Sequence, residues 1–337
     1  MSGFKDWVEA RWYGDPGALK ILLPLSKLFA YCAAQRRKKL HIQAKPFAVP
    51  VVVIGNIAVG GTGKTPTIIT LVQFLQAQGV RVGVVSRGYG RVQSKNVLPV
   101  IAHDSSTPEQ LGDEPYMIYR ATRCPLAVSA DRVAAVNTLI STAQCELILS
   151  DDGLQHYSMF RDKEIAVVDA QRQCGNGHMM PVGPLREPPT RLQEVDWVLY
   201  SCATWDTPVP QNAFAIHVQP LCFVNVLSGD EIALDQWSAL SAGKNCVAMA
   251  GLGNPQKFFT TLEQLQLIFD ARPMPDHHAY TEDDFVGLDN SVIVMTEKDA
   301  VKCKHLVNKN AYYVKIAMAL PEEFLNEFLQ SVRLVRH

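Results

Sequence analysis

Val51-Val52-Val53-Ile54-Gly55-Asn56-Ile57-Ala58-Val59-Gly60-Gly61-Thr62-Gly63-Lys64-Thr65-Pro66 is the stretch that decides the fold. Residues 51–54 are a β-branched apolar run that reads as a buried strand. Gly60, Gly61 and Gly63 let the backbone turn tightly, so that successive N–H groups face phosphate oxygens. A helix expected from about 64 to 78 adds the positive end of its dipole. Lys64 is placed to reach β- and γ-phosphates, and the Thr65 hydroxyl to ligate Mg²⁺. Pro66 suits the first helical turn, where a missing N–H does no harm. Residues 58–65 therefore read as a nucleotide phosphate loop, with Ala58 in place of the usual first glycine.

Outward from this loop, short β-branched runs alternate with helical ones. Strands are expected at 82–86, 146–150, 164–169 and 197–201, and helices at 112–121 and 130–142. The alternation predicts a P-loop NTPase-type α/β fold, a mostly parallel sheet flanked by helices. Residues 171–191 are crowded with glycine and proline and read as an active-site loop. Ribbon strands at 214–218 and 223–227 lead into a second α/β unit, with strands near 246–250 and 292–296 and helices near 255–265 and 321–335. Four regions are expected: an N-terminal helical segment (1–45), a P-loop core (46–205), a ribbon linker (206–230) and a smaller α/β lobe (231–337).

The chain has 337 residues, 47% hydrophobic and 19% charged, which supports a sizeable core and excludes global disorder. Lys and Arg number 32 against 33 Asp and Glu, which argues against general nucleic-acid binding. The eight cysteines are scattered with no C-x-x-C pair, as expected of isolated thiols in a reducing compartment.

Residues 18–34 read ALKILLPLSKLFAYCAA, apolar but interrupted by Lys20, Pro24 and Lys27. A spanning helix needs roughly 20 apolar residues, so this run falls short. Arg36-Arg37-Lys38-Lys39 follows it, and Trp7, Trp12 and Tyr13 precede it. An apolar helix with aromatic flanks and a polybasic end suits an anionic bilayer surface; packing on the protein's own core is the alternative.

A phosphate loop needs a metal-anchoring acid at the end of a neighbouring strand. Glu146-Leu147-Ile148-Leu149-Ser150-Asp151-Asp152 supplies it, with Asp151 first choice for Mg²⁺ and Asp152 beside it. The guanine-reading [NT]-K-x-D motif is absent, since Thr296-Glu297-Lys298-Asp299 has the wrong spacing. The partition-type ATPases carry a lysine where Val59 stands here. A kinase is therefore favoured. Gly251-Leu252-Gly253-Asn254-Pro255-Gln256 lacks the third glycine of a dinucleotide site and reads as a tight turn. Asp113 fits either a helix cap or a base. Asp276-His277-His278 fits either an oriented base or a solvated loop, and Arg186-Glu187 either a phosphate and metal contact or a surface ion pair.

In order, Val59-Gly60-Gly61-Thr62-Gly63-Lys64-Thr65-Pro66, Ser86-Arg87-Gly88-Tyr89-Gly90-Arg91, Gly112-Asp113-Glu114-Pro115, Asp151-Asp152-Gly153-Leu154-Gln155-His156, Gly183-Pro184-Leu185-Arg186-Glu187, Asp276-His277 and Thr296-Glu297-Lys298-Asp299-Ala300 resemble the tetraacyldisaccharide 4′-kinases. The resemblance implies ATP-dependent phosphorylation of the 4′-hydroxyl of a tetraacylated glucosamine disaccharide 1-phosphate, giving lipid IVA in lipid A synthesis. It implies a catalytic Asp113 and His277 alongside Lys64, and a nucleotide site at residues 58–65. Metal contacts map onto Thr65, Asp151, Asp152 and Glu187, and Asn56, Arg87, Arg132 and Arg186 are assigned to the substrate. The cofactors implied are ATP and Mg²⁺. The partners are the lipid disaccharide and an anionic membrane surface, with no nucleic acid and no obligate protein partner. A peripheral place on the cytoplasmic face of the inner membrane follows. The rival readings are a P-loop kinase or ligase for a soluble acceptor, and a membrane-recruited NTPase switch.

Overall fold

The apolar run ahead of the glycine loop forms strand β1 (Val51–Gly55), buried along its whole length. The computed structural model describes residues 2–91, 98–275 and 278–334. The chain divides into two units, Met1–Ile216 with Leu320–His337, and His217–Ala319.

In the first unit β1 is joined by β2 (Val82–Ser86), β3 (Val100–Ile101), β4 (Leu126–Val128), β5 (Leu147–Asp151), β6 (Lys163–Asp169) and β7 (Trp197–Cys202). The strand order is β3-β4-β2-β5-β1-β6-β7. Neighbours run parallel except for the edge pair β3–β4. Central parallel strands are covered on both faces, which is why β1 and β5 read as continuous apolar runs. Ile54 of β1 lies opposite Asp151 of β5 and Ile165 of β6. That register brings the glycine loop and the acidic end of β5 to the carboxyl edge of the sheet, where α/β proteins bind ligands.

The helices of this unit begin with α1 (Ser2–Trp12), a 3₁₀ turn (Gly17–Leu22) and α2 (Leu23–Gln43). They continue with α3 (Lys64–Ala77), α4 (Pro108–Leu111), α5 (Asp113–Thr122) and α6 (Arg132–Ala143). Ile68, Leu71, Val72 and Leu75 of α3 are buried at the spacing of one helical face. Each such side chain contributes ~2 kcal/mol of transfer free energy.

The residues from Gly17 to Gln43 form a 27-residue helical run, long and apolar enough by length and composition to cross a bilayer. This exceeds the shorter run expected from the sequence, because Pro24 falls in the first turn of α2, where it does not interrupt the helix. Leu19 and Ser26 are buried, the Ser26 hydroxyl donates to the Met179 carbonyl at 2.7 Å, and Phe29 and Ala30 pack on the core. The opposite side exposes Ile21, Leu25, Leu28 and Tyr31.

The second unit contains β8 (Phe214–Asn225) from His217 onward, β9 (Glu231–Ala233), β10 (Cys246–Ala250), β11 (Asp270–Pro273), β12 (Val292–Thr296) and β13 (Ala311–Ala319), with helices α7 (Trp237–Ser241), α8 (Pro255–Gln264) and α9 (Glu297–Cys303). The strands β11-β10-β12-β13 are parallel; β8 runs antiparallel to β13 and carries β9 on its other side. The two ribbon strands expected at 214–218 and 223–227 are one strand. Opposite Lys315 and Ile316 the register shifts from Cys222 to Pro220, so Leu221 is an extra residue in a bulge. A bulge is where a sheet tolerates proline, which explains why Pro220 does not end the strand.

The last helix, α10 (Glu322–Leu334), groups with the first unit rather than with residues 231–319. Phe324 and Phe328 are fully buried and meet the Trp197 ring edge-on at 6.0 and 5.6 Å between centroids. The Trp197 indole N–H donates to Glu327 at 3.2 Å.

Candidate active site

The glycine loop between β1 and α3 is held from outside by its neighbours. The Val59 N–H donates to the Pro184 carbonyl at 2.9 Å, and the Arg186 N–H donates to the Ile57 carbonyl at 2.7 Å. The Tyr13 hydroxyl donates to the Val59 carbonyl at 2.9 Å. Asn56 is buried beneath the loop, its amide 3.4 Å from the Gly60 carbonyl. Gly63 caps α3 in a left-handed conformation, and Lys64 and Thr65 open the helix.

Lys64 reaches the acidic end of β5. Its ammonium lies 3.3 Å from Asp152 Oδ1, and Arg186 donates to Asp152 Oδ2 at 3.2 Å. Burial alone disfavours the Asp152 carboxylate, but Lys64 and Arg186 outweigh it and hold its pKa below the usual range. Asp151 is more deeply buried. Its Oδ2 accepts from the Ser86 hydroxyl at 2.8 Å, while Oδ1 is buried without a hydrogen-bond partner. Burial, with the charges of Glu114 and Asp152, pushes its pKa up to about 6 against the pull of Arg132 and Lys64.

Arg132, expected to meet substrate, lies beneath the site instead. It is 2% exposed and donates to the main-chain carbonyls of Val85 and Asp151, both at 2.7 Å. Burial lowers its pKa to about 10, opposed by Asp151 and Asp152, so the guanidinium keeps its charge at neutral pH. It braces the ends of β2 and β5 and supplies a fixed positive charge below them.

Asp113 is the first residue of α5 and half-buried. Gly112, which precedes it, packs directly on the backbone of the 86–91 loop. A Cβ there would come within 2.7 Å of the Tyr89 carbonyl, so glycine is what lets α5 start beside the end of β2. The charge of Glu114, the next residue of α5, helps to raise the pKa of Asp151. Arg87 is exposed, available to an anion. Asp276 and His277 lie outside the described residues. The neighbouring His278 bonds Asp284 at 3.0 Å.

Glu187, expected among the metal ligands, is 4% exposed and already engaged. Its Oε1 accepts from Gln155 at 2.6 Å, and its Oε2 accepts from Arg191 at 3.2 Å and from the Tyr157 hydroxyl. Arg191 also grips Glu164 through both carboxylate oxygens at 2.5 Å. Gln155 further donates to the Asn56 carbonyl at 3.0 Å, so this network supports the glycine loop from below.

Among the described residues no group of three or more His, Cys, Asp or Glu forms a metal cage. Mg²⁺ does not require one, since it takes one or two carboxylates together with substrate phosphates and water. The unpartnered Oδ1 of Asp151 near the loop is the donor such an ion would use. Tyr157 and Arg191 carried no sequence signal, Ser86 stood within a quoted motif without a role, and Tyr13 read only as an aromatic flank; their partners lie 30 or more residues away or, for Arg191, deep in a buried cluster. Gln155 stood within a quoted motif without a role.

A family model for the tetraacyldisaccharide-1-P 4′-kinases matches residues 18–333. The tetraacyldisaccharide 4′-kinase of Methylobacillus flagellatus is 40% identical over 338 residues, covering 99% of this chain and 97% of that protein. That of Azotobacter vinelandii is 43% identical over 313 residues, covering 90% of each. Among solved structures, the apo form of LpxK from Aquifex aeolicus in complex with ATP matches with a TM-score of 0.76. It is 24% identical in sequence, and the match covers 95% of this chain and 100% of that one.

Proposed function

The chain belongs to the tetraacyldisaccharide-1-P 4′-kinase family, and on that premise we propose that residues 58–65 cradle the ATP phosphates while Asp113 takes the acceptor proton. The protein is a kinase: with ATP as donor it phosphorylates the 4′-hydroxyl of a tetraacylated glucosamine disaccharide 1-phosphate, a lipid A precursor.

Phosphoryl transfer asks for positioning and charge neutralisation more than covalent chemistry. Lys64 exchanges its contact with Asp152 for the phosphates, and the loop and α3 N–H groups complete the cradle. Thr65 and Asp151 would hold Mg²⁺, with Asp152 beside them, and the ion would neutralise charge on the phosphates. Arg132 fixes the backbone under those acids, and Glu187 fixes the loop through Gln155. Asp113 removes the proton of the 4′-hydroxyl, and the exposed Arg87 and the half-buried Arg186 offer positive charge to the anionic substrates. The exposed Ile21, Leu25, Leu28 and Tyr31, with exposed Arg36, Lys38 and Lys39 at the helix end, seat the enzyme on the cytoplasmic face of the inner membrane, where its lipid acceptor resides.

The observation that supports this reading most strongly is the convergence of Lys64, Asp151 and Asp152 at one sheet edge, with Asp151 Oδ1 unpartnered. Asp113→Asn tests it: transfer to the lipid should fall at least ~100-fold while ATP affinity is retained. Full transfer by that variant refutes the assignment.

A further inference from the structure

We propose that Tyr13 is a positioning residue for ATP, acting through the peptide that joins Val59 to Gly60. The proposal rests on the reading of residues 58–65 as the ATP loop. The Tyr13 hydroxyl donates to the Val59 carbonyl at 2.9 Å, and the Val59 N–H is fixed separately by the Pro184 carbonyl at 2.9 Å. A peptide is planar and trans, so its carbonyl and the following N–H point to opposite sides. Anchoring the Val59 carbonyl therefore sets the direction of the Gly60 N–H, one of the donors a phosphate loop turns toward its anion. Gly60 itself has φ +122° and no side chain to hold it, so the restraint has to come from outside the loop.

Tyr13 is itself held firmly. The Arg172 guanidinium stacks over its ring at 4.4 Å and pairs with Glu9 of α1 at 3.4 Å. The Trp12 indole donates to the Pro181 carbonyl at 3.0 Å, and the Asn176 amide donates to the Arg11 carbonyl at 3.0 Å. Burial raises the Tyr13 pKa despite the lowering influence of Arg172, which keeps the phenol a donor at neutral pH. The end of α1 is thus fastened to the 171–184 loop, and Tyr13 carries that anchorage to the nucleotide loop. The N-terminal segment therefore belongs to the ATP site as well as to the lipid-facing surface.

Tyr13→Phe removes the hydroxyl and keeps the ring. The full-length variant should bind ATP about fivefold more weakly, the loss of one neutral hydrogen bond, with KM for ATP raised to match. Its kcat at saturating ATP and its KM for the lipid acceptor should match the wild type, with a melting temperature at most ~3 °C lower. Unchanged ATP affinity overturns the proposal, as does a uniform loss in every parameter with a melting temperature lowered well beyond that. Wild-type ATP binding is measured in the same series. If the wild type binds no ATP, both the loop reading and the proposal fall; if it binds and Tyr13→Phe binds equally well, only the proposal does.

Discussion

The ammonium of Lys64 lies 3.3 Å from the carboxylate of Asp152. The pair holds Lys64 over the glycine loop, and it also competes with the phosphates for the same charge. Asp152→Asn removes that competition and a local negative charge. We expect ATP affinity in this variant to be equal or tighter, by up to ~10-fold, while kcat falls ~100-fold or more. Nucleotide titration and steady-state transfer measured on one preparation check both parts.

The Arg191 side chain is 1% exposed and bridges Glu164 and Glu187. Replacing it by methionine leaves the buried Glu187 and the partly buried Glu164 short of a partner. Breaking a buried pair from one side costs ~3 kcal/mol or more, so Arg191→Met should unfold at distinctly lower urea concentration. Activity should fall with it, because Glu187 would no longer hold Gln155 against the Asn56 carbonyl.

His156 supplies a pH dependence. Burial, with the charges of Arg132 and Arg87, lowers its pKa from 6.5 to about 4. The unfolded chain then binds the extra proton throughout that interval and the folded chain does not. The contribution of this group to stability is present above pH 6.5, declines as the pH falls, and is gone below about 4. In urea titrations His156→Gln should show a shallower loss of stability across this window than the wild type.

The exposed apolar stripe of α2 and the turn before it offers a test of membrane seating. Changing Ile21, Leu25 and Leu28 together to serine alters side chains that are half or more exposed, so the fold should be retained. Co-sedimentation with anionic vesicles should drop by ~10-fold or more, with far-UV circular dichroism unchanged.

The P-loop, the acidic end of β5 and the alternating α/β pattern were legible because each is written in consecutive residues. A β-branched run, a glycine turn and a helix start specify one another locally, and tertiary packing only confirms them. The strand β13 and the unity of β8 were not legible, since Pro220 reads as a break until β13 lies alongside with its bulge. The burial of Arg132 was hidden for a related reason. An arginine at a helix start is ordinarily solvated, and only the carbonyls of Val85 and Asp151, 47 and 19 residues away, satisfy it inside. Glu187 likewise reads as a metal contact or half of a surface ion pair until Tyr157, Gln155 and Arg191 close on it.

The most direct test of the central claim is transfer of labelled γ-phosphate from ATP to tetraacyldisaccharide 1-phosphate in mixed micelles, comparing the wild type with Lys64→Ala. The wild type should yield a labelled bis-phosphorylated lipid, and the variant ~100-fold less or lower still. Undiminished transfer by Lys64→Ala would contradict the assignment of residues 58–65 as the phosphate cradle.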